Sequence, residues 1–140
     1  MKLLLTLFIF FSSKIFAFDY RECFEVELKK DEKKSFVIKY QNQKRDFDFR
    51  WTLYKNGGLV IHKKYDRFVS QHMLYLRDKN RSFKVELKTR GEGYLELPYL
   101  AVMFKEFKED KAIFKIMLYD IKEQIYIENI DKKELKRCKE

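Results

Sequence analysis

Proline and glycine are nearly missing from this chain, with one Pro and four Gly in 140 residues. That scarcity excludes collagen-like repeats and Pro- or Gly-rich linkers. Cysteine is limited to Cys23 and Cys138, and no C-x-x-C occurs. A thioredoxin-type redox motif is therefore absent, and a zinc site has no motif support. Histidine stops at two, His62 and His72, with no H-x-x-x-H spacing between them. No G-x-x-x-x-G-K-[ST] phosphate loop, no G-x-G-x-x-G and no G-x-S-x-G is present. Gly91-Glu92-Gly93 reads only as a loop breaker. Beyond the leader-like first segment the serines are Ser35, Ser70 and Ser82, none with a base at motif spacing. Asp46 and Asp48 share one strand face, and a solvated polar face explains them without acid–base chemistry. The expectations are accordingly no enzyme, no cofactor and no metal.

Long hydrophobic runs are also scarce. The clearest covers residues 3–11 and is broken by Thr6. Lys2 precedes it, and Ser12-Ser13-Lys14 and Ile15-Phe16-Ala17 follow, the layout of a secretory signal peptide. The run is half the roughly 20 residues a membrane anchor needs. The expected cut follows Ala17, leaving residues 18–140 as one domain in the periplasm or secreted. Phe18, not Cys, stands directly after the cut, so no lipid attachment is expected there. Losing Lys2 and Lys14 takes the formal charge from +9 to +7.

What remains is rich in apolar and charged side chains together, 46% and 38%, with fourteen Phe and nine Tyr. Such a chain buries a core and is not a polytopic membrane protein. In an oxidising compartment Cys23 and Cys138 have one intramolecular pairing, and a disulfide between them is expected.

Apolar residues recur with period two. Phe47, Phe49, Trp51 and Leu53 alternate with Asp46, Asp48, Arg50 and Thr52, and Asn56-Gly57 supplies a hairpin turn. Phe24, Val26 and Leu28 read as one strand, answered after a charged turn by Phe36, Ile38 and Tyr40. Residues 72–77 and 82–88 read as a further hairpin. Tyr65-Asp66-Arg67-Phe68 reads as a connection between strands. Residues 94–107 form either one doubly buried strand or two bent at Pro98, and 113–119 and 124–128 follow. The fold class is all-β: an antiparallel meander of about nine short strands, closed as a sandwich or a small up-and-down barrel. The expected core is Phe47, Phe49, Trp51, Leu53, Phe83, Val85, Leu87, Phe114, Ile116 and Leu118. Asp131 and Glu134 form a capping box, with Ile130 and Leu135 as its staple, so a short helix is expected over 132–137.

Three functional readings follow. The first is a non-enzymatic exported protein that binds an envelope protein or an anionic envelope component. Lys63, Lys64 and Arg67, and Arg77, Lys79 and Arg81, are its candidate anion-binding residues, with Lys132, Lys133, Lys136 and Arg137 a further basic cluster. Export argues against nucleic acid as partner. The second is a carrier with an apolar ligand inside a barrel, where Met73, Tyr75, Met103 and Met117 would join aromatic residues. The third is a hydrolase built on His62 or His72. Each basic cluster also has a plain structural use, because charged turns and edge lysines keep β-proteins from aggregating.

Overall fold

The structure is a computed structural model, which describes residues 20–77, 79, 81–87, 97–122, 124–128, 130 and 136–138. The expected signal segment and residues 132–135 of the expected helix lie outside the described residues. Among the described residues there are ten strands: β1 (Glu22–Lys29), β2 (Lys34–Tyr40), β3 (Gln43–Lys55), β4 (Gly58–Tyr65), β5 (Phe68–Tyr75), β6 (Ser82–Glu86), β7 (Tyr99–Lys108), β8 (Lys111–Tyr119), β9 (Ile125–Glu128) and β10 (Lys136–Arg137).

The strands form two five-stranded sheets: sheet A in the order β10-β1-β8-β7-β6 and sheet B in the order β5-β4-β3-β2-β9. Every pairing is antiparallel. The apolar residues of each strand point to one side, so the two sheets pack face to face as a sandwich. Phenylalanine rings bridge the layers. Phe24 of β1 meets Phe36 of β2 edge-on at 5.4 Å, and Phe49 of β3 meets Phe114 of β8 at 5.2 Å. Phe36, Phe47, Phe49, Phe104 and Phe114 are fully buried. The Trp51 indole N–H donates to the Leu28 carbonyl across the two sheets (2.8 Å).

Tight turns join β2–β3, β3–β4, β4–β5 and β7–β8. Asn56 and Gly57 have φ of 53° and 77°, as a type I′ hairpin requires. Glu109 and Asp110 adopt the same hand, φ 53° and 59°, with no glycine between β7 and β8. Asp66 and Arg67 make a two-residue turn, because Tyr65 and Phe68 already pair across it. The expected connection over 65–68 thus shrinks to its two central residues, and β5 begins at Phe68.

Three expectations change. The segments over 24–28 and 36–40 are not hairpin partners: β1 pairs with β8 and β10, whereas β2 pairs with β3 and β9. The segments over 72–77 and 82–88 likewise fall in different sheets. Each polar turn there carries the chain from one layer to the other, and alternation looks the same in both cases. Lys136 and Arg137, the end of the expected helix, are strand β10, paired with Glu25 and Phe24.

Leu53 is the one expected core residue found outside, 51% exposed. The register slips between Trp51 and Leu53, where two residues of β3 face one step of β4. This β-bulge reverses the alternation. Tyr54 then packs inward, stacked on Phe107 at 4.1 Å. A second bulge, between Phe104 and Glu106 of β7, turns Phe107 to meet it.

β1 and β10, the first and last described strands, lie side by side. Cys23 and Cys138 form a disulfide, Cα–Cα 5.5 Å, one step beyond the β1–β10 pairs. Structural disulfides of this kind persist in oxidising, extracytoplasmic compartments.

Candidate functional site

The six candidate anion-binding residues divide into two groups at opposite ends of β5. Lys63, Lys64 and Arg67 surround the β4–β5 turn, and Arg77, Lys79 and Arg81 follow the far end of the strand. Several are engaged locally. Lys63 lies on the inner side of β4, with its ammonium 4.8 Å above the Phe83 ring and 3.4 Å from the Lys84 carbonyl it donates to. Burial pushes its pKa down. The Arg81 guanidinium donates to the carbonyls of Phe104 and Lys105, both at 2.8 Å, and so ties β6 to β7. Lys64, Arg67, Arg77 and Lys79 are exposed.

The two histidines face opposite sides of sheet B. His62 is opposite Gln71 and Arg50, on the outer side, while His72 is opposite the buried Ile61, on the inner side. His72 stacks on Phe83 of sheet A at 5.1 Å, and its Nε2 is buried without a hydrogen-bond partner. Burial first, and the nearby Lys63 charge second, lower its pKa. Among the described residues no group of His, Cys, Asp and Glu is arranged to hold a metal ion.

A second constellation stands on the outer face of sheet A. Tyr99 and Tyr119, directly opposite one another on β7 and β8, stack at 4.5 Å, and Tyr20 meets Tyr119 edge-on at 6.3 Å. The Lys84 ammonium lies 4.4 Å from the Tyr99 ring centre, and the Lys115 ammonium 5.5 Å from that of Tyr20. Met103 and Met117 are half-buried on the same face. Period-two alternation puts these residues here: Leu100, Leu118 and Ile116 point inward, so their neighbours point out. Burial, with Tyr99 and Tyr20 alongside, raises the Tyr119 pKa, so its phenol stays protonated. The face therefore offers phenol hydroxyls, aromatic surface and the Lys84 and Lys115 ammoniums, together with the carboxylates of Glu86, opposite Tyr99, and Glu25, opposite Lys115. Sequence reading missed it, because Tyr20, Lys84, Tyr99, Lys115 and Tyr119 come from four separate segments. Their outward parity in β6, β7 and β8 was the available signal.

An open groove of about 500 Å³ lies beside β2 and β9, lined by Lys39, Gln41, Gln124, Tyr126 and Glu128. The Lys44 ammonium, donating at 3.1 Å, and Lys39 alongside hold the Glu128 carboxyl below the usual carboxylate range. The groove's Lys39 is thus paired with its own carboxylate. Nearby, the buried Asp120 carboxylate accepts from the backbone N–H groups of Gln124 and Ile125, both at 2.7 Å, and from Arg21 at 3.4 Å. Arg21 also donates to the Ile125 carbonyl (2.8 Å). That network fixes the crossing from β8 to β9. Comparison of the chain with protein-family models, curated proteins and solved structures finds no match.

Proposed function

We propose that this protein is an exported, disulfide-closed binding protein of the cell envelope, which works by contact and not by catalysis. Its ligand is an anionic envelope component, and its contact surface is the tyrosine–lysine face of sheet A. The observation that carries this reading is the ordered row of Tyr20, Tyr99 and Tyr119 with Lys84 and Lys115 set over the rings. Cations held beside aromatic surface attract phosphate or carboxylate groups, and phenol hydroxyls add directional hydrogen bonds. The exposed Lys64, Arg67, Arg77 and Lys79 add a diffuse positive field that speeds encounter.

Two observations favour surface binding over the other readings. The interior is filled by phenylalanine rings in mutual contact, which disfavours a carrier with cargo inside. The opposed directions of His62 and His72 disfavour a convergent hydrolase site. The test is binding of the oxidised protein to lipopolysaccharide and to an acidic cell-wall polymer, with neutral dextran as control. Binding to one polyanion, weakening as salt rises, is expected. Joint Lys84→Gln and Lys115→Gln substitution is expected to weaken it about tenfold or more, equivalent to at least about 1.4 kcal/mol. Absence of polyanion binding, together with in-cell crosslinking to an envelope protein, would replace this reading with a protein partner.

A further inference from the structure

Sheet edges are usually protected by charge, because an open row of backbone N–H and C=O groups recruits other strands. Three of the four outer strands here follow that rule: β6 carries Lys84 and Glu86, β9 ends in Glu128, and β10 is Lys136–Arg137. β5 does not. Its sequence, FVSQHMLY, contains no Lys, Arg, Asp or Glu, and it is the only one of the ten strands of which that is true. In a chain that is 38% charged, the uncharged strand lies at an edge. β4 pairs with one side of it, and among the described residues nothing pairs with the other. It also exposes apolar side chains: Phe68 at 78%, Val69 at 72% and Met73 at 49%.

We propose that β5 is a self-association edge, at which a second copy of this chain adds its own β5 antiparallel across a two-fold axis. The strand's content selects this occupant. Each molecule is strongly basic, and β5 is the edge at which two copies can meet without setting Lys or Arg against Lys or Arg. The register is self-complementary as well. Inner-facing residues of β5 are even-numbered and outer-facing ones odd-numbered, as buried Leu74 and exposed Met73 show. Opposed residues in an antiparallel pair share a face, so keeping both sandwiches on the same side of the joined sheet requires even to meet even. Centring on Gln71 achieves this with Phe68 to Leu74 all inside the seam. Gln71 then faces Gln71 of the second copy, and Val69 faces its Met73. Phe68 lies opposite its Leu74 and covers the flank of its core. Ser70 of the second copy comes opposite His72, within side-chain reach of the buried Nε2 that lacks a partner.

One strand pair is a small interface, so the association is weak and concentration-dependent. It is also closed, because each copy uses its one uncharged edge, giving dimers and not fibres.

Sedimentation equilibrium of the oxidised protein over micromolar to submillimolar concentration tests the proposal. A monomer–dimer equilibrium is expected. Gln71→Lys places two like charges on the axis, and Val69→Lys places a charge against Met73; both side chains are exposed, and circular dichroism checks the fold. Each variant is expected to raise the dissociation constant about tenfold or more. Ile121→Lys, the same charge change at a residue 80% exposed elsewhere, leaves it unchanged. A monomer throughout the range overturns the proposal. So does a dimer that survives both β5 substitutions, or assembly that continues beyond two.

Discussion

Asp120 shows how much one side chain can decide. It is the only buried charged residue among those described, and its Oδ2 accepts from two backbone N–H groups and one guanidinium. Replacing it by Ala removes the acceptor that these three donors share inside the crossing between sheets. Asp120→Ala is expected to lower unfolding stability by about 2–4 kcal/mol in urea titrations. Sequence reading passed over it because a single Asp beside Ile121 has no motif; its role appears only when Arg21 arrives from the other end of the domain. His72 gives the pH counterpart. Its native pKa lies below the ordinary value, so in acid the unfolded chain takes up a proton before the folded one does. Stability is expected to fall as pH drops through the ordinary histidine range and to level off once the native pKa is passed. His72→Gln is expected to flatten that part of the profile, read from urea midpoints at a series of pH values.

At the scale of the element, the bulges in β3 and β7 explain what alternation could and could not tell. Phe47, Phe49 and Trp51 were legible as core because the period is unbroken up to Trp51. Leu53 was not, because one inserted residue reverses every side chain after it. The consequence is a contrast between neighbours. Leu53→Ala is expected to cost under about 1 kcal/mol, whereas Tyr54→Ala, losing its stack on Phe107, is expected to cost about 2–4 kcal/mol. Equal losses, measured by thermal and urea unfolding, would contradict the bulge. The turns were legible in proportion to their chemistry. Asn56-Gly57 announces a type I′ hairpin, while Glu109-Asp110 takes the same hand with residues that signal only a polar turn. Which segments pair was less legible still, because a turn between hairpin strands and a crossing between layers use the same polar residues.

For the whole molecule, the disulfide was readable from compartment logic and the count of two cysteines, whereas the sandwich was not separable from a barrel. The tyrosine–lysine face was not readable as a unit, since side chains from Tyr20 to Tyr119 meet only after β7 and β8 pair. The Cys23–Cys138 link spans 115 residues of sequence. The chain-entropy account gives a loop of that size about 4–5 kcal/mol, an upper figure. Reduction with the fold otherwise intact is expected to lower the unfolding free energy by up to that amount, measured by denaturant titration with and without reductant.

The placing of β1 between β8 and β10 also sets an order of assembly. Strands β2 to β5 find their neighbours in succession, each closing on the one just made, so most of sheet B can form from local contacts. β1 is made before all of them and has no partner until Lys111–Tyr119 exists. A chain stopped short of β8 would leave the backbone of β1 without its ladder partner, and one stopped short of Cys138 would leave Cys23 as a free thiol. The seal on β1 is thus set far from it in sequence: a chain lacking Cys138 carries an open thiol at Cys23.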